Sequence, residues 1–197
     1  MTETFDHQHP FYSVKEYLIH TSKDWILEFS RYIYIEQGRT ERRILLSQHL
    51  SNVTHNWLNF IMNDLEQNEE FAFHSRLYCH GQEFHMPLVD FSARMNPEDA
   101  RDLICTKCNF ERTCIKVYDS GRSLHAYYLK LVSKDEWMRY LGDLLLINNN
   151  VECIDSRWVG HSLRNGFSAL RWSCNTPRHK NMPSLALLET NDPNVSI

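Results

Sequence analysis

The sequence has no long hydrophobic run. Its longest apolar stretch lies around residues 144–147, far short of the roughly eighteen residues a membrane-spanning helix needs, which excludes such a helix. It has no basic excess either. Lys and Arg number 21 against 25 Asp and Glu, a net charge of −4, so no global field advertises nucleic-acid binding. The first ten residues are polar, with acids and histidines but no basic stretch leading into an apolar one. No secretory signal is visible there, and a cytoplasmic location is the expectation. No repeat, low-complexity tract or interdomain linker interrupts the chain. Glycine and proline number only 6 each, hydrophobic residues make up 42% and charged residues 23%. This ordinary globular usage excludes a disordered chain, a collagen-like repeat and a coiled coil. With 197 residues the chain can bury roughly 70% of its unfolded surface, and a single domain over 1–197 is expected.

What is present is unevenly spread. Within 155–180, Arg157, Arg164, Arg171, Arg178 and Lys180 stand against one acid, with His161 and His179 in the same stretch. The compensating acids, such as Asp64, Glu66, Glu69 and Glu70, lie elsewhere. A basic segment in an acidic protein fits a phosphate-bearing ligand; a solvated face is the plainer alternative. Six cysteines without a secretion signal suggest a reducing compartment rather than a disulfide framework. Cys105-x2-Cys108 followed by Cys114 has the spacing of a zinc site, with Cys79, His80 or His85 as candidate fourth ligand. Against zinc, Cys105 and Cys108 fall in a helical pattern, and free cysteine is commonly a small buried apolar residue.

The periodicities predict a helix over 13–23 and a hairpin of strands 25–36 and 43–46 around Gln37-Gly38-Arg39. They predict an amphipathic helix over 52–67, then strands 71–79 and 84–91. Asn96-Pro97-Glu98-Asp99 opens a helix to about 109, with Asn as cap and Pro at the first position. Strands follow at 114–118 and 124–132. Ser133 with Glu136 forms a capping box for a helix to 147. A turn at 148–150 leads into strands 151–154 and 169–173. This order reads as α+β with a largely antiparallel sheet.

Three strand ends carry polar residues among apolar neighbours. Asp90 closes Met86-Pro87-Leu88-Val89, Asp155 closes Cys153-Ile154, and Ser120-Gly121-Arg122-Ser123-Leu124-His125 is a glycine turn. In that turn Ser123 and His125 share one strand face by the period of two. Two carboxylates, a histidine and a basic tract suit a metal-bound nucleotide. Asp90 and Asp155 would hold magnesium or manganese, and Ser, His, Arg and Lys would contact the triphosphate. Plainer roles stay open: Asp90 and Asp155 as turn caps, His125 as a satisfied core histidine.

In order and spacing these motifs resemble the catalytic core of the archaeo-eukaryotic primase superfamily, the primase-polymerases. Pro87-Leu88-Val89-Asp90 resembles the first motif and Ile154-Asp155 the third. The 120–125 turn, the most specific of the three, resembles the second. The likeness spans roughly residues 70 to 185 and divides the chain into an N-terminal helix and hairpin unit, 1–70, and a motif-bearing core, 71–185. It implies an RRM-like sheet packed with helices on an N-terminal α/β unit. It also implies a nucleotidyltransferase that makes or extends a primer from NTPs or dNTPs. Asp90 and Asp155 would bind the metal, and Ser123 and His125 the β- and γ-phosphates. Arg171 and Lys180 would neutralise phosphate, with Arg122, His161 and Arg164 as further phosphate or template contacts. Primase small subunits of this superfamily also bind zinc through cysteines between the first two motifs. The implied partners are nucleoside triphosphates, single-stranded DNA or a primer-template, and a helicase or other replication or defence protein, with no membrane. One departure stands out: the family's second carboxylate, two residues after the first, is here Ser92. A catalytically degenerate nucleotide- or nucleic-acid-binding accessory protein is therefore the alternative. A zinc-stabilised binding domain unrelated to primases is a third.

Overall fold

The computed structural model describes residues 7–35, 38, 42–92, 94–148, 152–179 and 181–187. Lys180, part of the 37–39 and 148–150 turns and the first residue of the 151–154 strand lie outside these residues. Helix α1 (Pro10–Thr21) begins three residues before the predicted start. His9 caps it, and Pro10 occupies the first turn, where its missing N–H leaves no bond unmade.

Five strands form the first sheet: β1 (Ile26–Ile33), β2 (Arg42–His49), β3 (Glu69–Cys79), β4 (Gln82–His85) and β8 (Ala169–Arg171). Their order is β2-β1-β3-β4, with β8 also paired to β3. All pairings are antiparallel. Helix α2 (His55–Asn63) is shorter than predicted, because Thr54 caps it by accepting from the Trp57 amide. The β3 side chains are almost all buried, and Phe73 stacks on Trp172 with centroids 5.0 Å apart. Aromatic pairs of this kind add about 0.5–1.5 kcal/mol beyond their buried area.

The predicted strand over 84–91 divides. Pro87 lacks an amide hydrogen and cannot continue the β4 ladder. The chain turns there, and β5 (Leu88–Asp90) joins a second sheet of order β5-β7-β6-β9. Its other strands are β6 (Ile115–Asp119), β7 (Leu124–Tyr128) and β9 (Ser184–Leu185), also antiparallel. Three helices belong with it: α3 (Pro97–Cys108), α4 (Lys134–Ile147) and α5 (Ser156–Asn165). The Asn96 cap and the Ser133–Glu136 capping box form as predicted. The predicted strand 151–154 reduces to one antiparallel bridge, Ile154 to Phe91. Counting that bridge, β5-α3-β6-β7-α4-Ile154 is the β-α-β-β-α-β order of an RRM-like sheet. The fold is α+β.

Helix α5 has no counterpart in the predicted elements. Its signals are Asp155 as cap and Gly166, at φ 74°, as terminator; left-handed backbone there favours glycine. The strand predicted over 124–132 stops at Tyr128, and Val132 instead bridges His85.

Besides His125, three histidines are buried among the described residues. His9 Nε2 donates to the Trp172 carbonyl at 2.9 Å, while its Nδ1 accepts from the Phe11 amide. His74 stacks on Phe167, and His85 stacks on Trp137. Burial pushes each down to about 4. The unfolded chain takes up these protons below about 6.5 while the folded one resists until about 4. Stability therefore falls as pH drops through that window. In an Asp90→Asn variant, which removes a raised carboxyl that titrates with the opposite sign in this window, thermal unfolding midpoints measured between pH 7 and pH 4 should decline steadily; a flat profile would mean the three rings are solvated.

Candidate functional site

Strand β5 sets Asp90 directly opposite His125 of β7. The Asp155 amide donates to the Asp90 carbonyl at 3.0 Å, so the two acidic strand ends are main-chain neighbours. Asp155 caps α5: its Oδ1 accepts from the amides of Arg157, at 2.9 Å, and Trp158, at 3.0 Å. Both bonds end on one oxygen. The turn before β7 is held by Ser120 Oγ, which donates to the Ser123 carbonyl at 3.0 Å and lies 3.3 Å from the Ser123 amide. Gly121 at φ 88° permits that turn. Asp90, Asp155, Ser123, His125, Arg122, Arg171 and His161 all line one cleft of about 280 Å³.

The electrostatics are unbalanced in two places. Removal from water, then the charge of Asp155, pushes the Asp90 carboxyl up to about 7, against the pull of Arg171 and Arg122. Two carboxylates that repel in this way suit a bound cation. His125 is 7% exposed in its side chain, with Nε2 at 3.7 Å from Asp90 Oδ1 and Nδ1 without a hydrogen-bond partner. Burial, then Arg171 and His179, hold it well below the usual histidine range. The Arg171 guanidinium, 5% exposed as a residue, donates to the carbonyls of Ser120, Ser173 and Asn181. Those acceptors position its charge without neutralising it, which leaves it available to an anion.

Several cleft residues carry no motif. Glu70, counted among the remote acids, is fully buried and organises the basic segment. It accepts from Ser173 Oγ, from the Asn175 amide at 3.2 Å, from Thr176 Oγ1 at 2.7 Å and from His179 Nδ1 at 3.1 Å. Burial pushes its carboxyl up, but these bonds prevail and hold it at about 2. The loop so latched brings Arg178 and His179 into the cleft, which Tyr32, Tyr34, Ile35 and Arg43 of the β1–β2 hairpin also line. Only the basic tract signals Arg178 and His179 in the sequence. Nothing local signals the hairpin wall.

Other expected residues are placed differently. Ser92 lines the cleft, but its hydroxyl donates to the Glu152 carbonyl at 2.5 Å. Arg164 is exposed on α5 and is not among the cleft-lining residues. The cysteine trio is not gathered: among the described residues no three or more His, Cys, Asp or Glu are grouped to hold a metal. Cys105 Sγ donates to the Phe110 carbonyl and Cys114 Sγ to Glu111, while burial pushes Cys108 up to about 12. Helix α3 carries Cys105 and Cys108, which ties their geometry to its own packing.

A family model described as "AEP-like: Archaeo-eukaryotic primase 1D-like" matches residues 49–184. No curated protein and no solved structure matches the chain.

Two outcomes test this site. Asp155→Asn keeps the helix cap but removes a charge, so the Asp90 midpoint should drop from about 7 while staying above the ordinary carboxylate range. A carboxyl-detected NMR titration reads it, and an unmoved midpoint would show that the two groups do not sense each other. Glu70→Gln should cost about 1–3 kcal/mol in chemical denaturation, since it disturbs a fully buried hydrogen-bonded acceptor.

Proposed function

Since the chain belongs to the archaeo-eukaryotic primase-like family, we propose that it is a primase-polymerase-type nucleotidyltransferase that makes or extends a nucleic-acid primer. The observation that carries the reading is the convergence in one cleft of Asp90 and Asp155 with Ser123, His125, Arg122 and Arg171. Nucleotidyl transfer joins a 3′-hydroxyl to the α-phosphorus of a nucleoside triphosphate and releases pyrophosphate. A protein serving it must gather anionic oxygens and hold two reactants in register.

Asp90 and Asp155 are the residues that would hold magnesium or manganese, a fit supported by the raised Asp90 carboxyl. Such an ion supplies charge neutralisation at the phosphate oxygens. Around it the chain's own groups divide the work. Ser123 and the Ser120–Ser123 turn present a hydroxyl and main chain to the β- and γ-phosphates. Neutral His125, with its Nδ1 unpartnered, supplies a hydrogen-bonding nitrogen to the same group. Arg171 and Arg122 offset phosphate charge from within the cleft. His179, fixed through Nδ1 by Glu70, keeps its other ring nitrogen for the ligand.

A second reading is favoured by Ser92. Its hydroxyl is committed to the Glu152 carbonyl, so the site offers two carboxylates where the family's pattern has three. A catalytically degenerate relative would bind nucleotide or nucleic acid as an accessory protein without transferring. Metal-dependent incorporation of a labelled nucleotide into a primed template separates the two. Activity lost in Asp90→Asn and Asp155→Asn supports the transferase. Nucleotide binding without incorporation supports the accessory role. His125→Ala should weaken triphosphate binding by tenfold or so, the order of one charge-assisted hydrogen bond.

Ser92→Asp should bind manganese more tightly and depend more on metal for its thermal stability. Without metal it should be less stable, because a third carboxylate enters a pair that already repels. Isothermal titration with manganese reads the affinity. Equal values in both proteins would place Ser92 outside the site.

A further inference from the structure

The β1–β2 hairpin lies almost wholly before the matched residues 49–184, yet Tyr32, Tyr34, Ile35 and Arg43 bring it into the lining of the cleft that holds Asp90. Tyr34 and Ile35 stand at its cleft end, 39% and 51% exposed. The Arg178 guanidinium, from the Glu70-latched loop, lies over the Tyr34 ring at 4.5 Å from its centroid. Below them Arg43 covers Tyr32 at 4.4 Å. Across the cleft mouth Arg157, two residues after Asp155, donates from Nη2 to the Gly38 carbonyl at 3.1 Å, tying the hairpin to α5.

Among the described residues these groups combine aromatic faces with guanidinium charge. That combination complements a ligand with both phosphates and stacking bases. Size decides which ligand. A cleft of about 280 Å³ falls just below the roughly 300–1,000 Å³ of small-ligand sites. One nucleotide fills such a space. Anything longer must leave across the rim, where an exposed ring and an exposed aliphatic side chain stand in contact with water.

We propose that Tyr34, with Arg178 stacked on it and Ile35 beside it, is a base-stacking step for single-stranded nucleic acid leaving the cleft over the hairpin. This rests on the nucleotidyltransferase reading and adds the surface that would guide the strand. Stacking gives affinity without reading sequence, because every base has a π-face. Arg178 adds the phosphate or base contact and carries the salt dependence.

Binding of a fluorescein-labelled oligo(dT) is measured by anisotropy, beside manganese-dependent binding of a single nucleoside triphosphate. Tyr34→Ala should weaken the oligonucleotide about 5- to 150-fold, the measured range for one stacked base. Tyr34→Trp should retain affinity, and in Tyr34→Ala the triphosphate should lose less affinity than the oligonucleotide does. The salt slope should stay unchanged in Tyr34→Ala and fall by about one in Arg178→Ala. Because Tyr34 is partly exposed, the alanine variant should fold; an unchanged thermal unfolding midpoint verifies this. An oligonucleotide that binds equally with or without the ring overturns the proposal. So does a Tyr34→Ala variant that loses triphosphate instead, since the ring would then serve the incoming base. A natural protein that binds triphosphate but no oligonucleotide overturns the stacking step and leaves the nucleotide reading standing. Failure to bind either ligand overturns both.

Discussion

The hydrogen bond from the Asp155 amide to the Asp90 carbonyl is the contact to which the cleft is referenced. It is the last main-chain link between β5 and the segment entering α5, and it immediately follows the Ile154–Phe91 bridge. Because it joins backbone to backbone, it sets the spacing of two acidic side chains without asking either to stabilise the other. Burial and repulsion then act on a geometry already fixed. The cost appears in the Asp90 carboxyl, held near neutrality, and is offset by β-sheet and helix-cap bonds made nearby.

The cationic side follows a different logic. Glu70 is a buried anion that no cleft ligand need touch, yet it fixes the 173–179 loop through four separate donors. Among the described residues Arg171 is held by main-chain carbonyls. One basic group is thus ordered by a charge and another by neutral dipoles. The second keeps its charge for the cleft that Arg171 lines.

The elements that local chemistry specifies were legible in the sequence. The caps at Asn96 and Ser133, the β6–β7 glycine turn and the apolar run before Asp90 each carry their own signal, and the α+β class follows from their order. Asp90, Ser123, His125 and Asp155 were legible as a group because each interrupts an apolar strand end. Illegible were features set by partners far along the chain. The division of 84–91 between two sheets depends on which neighbour each half meets, as β4 pairs with β3 and β5 with β7. Glu70 reads as one of several surface acids until β3 carries it beneath residues over a hundred positions away. Helix α5 was missed because its apolar face is narrow and its cap, Asp155, also reads as a strand terminus.

The first sheet has a consequence for assembly. Strand β3 is flanked on one side by β1, from the start of the chain, and on the other by β8, near residue 170. Neither half of the polypeptide can complete the sheet alone, so closure must wait for contacts of long sequence separation, which slows folding. A fragment cut to the matched 49–184 segment would keep β8 but lose β1. It would then expose one long edge of β3, eleven residues of mostly buried, β-prone side chains. Bare edges of that length and composition pair with other chains. The hairpin is therefore also the covering of that edge.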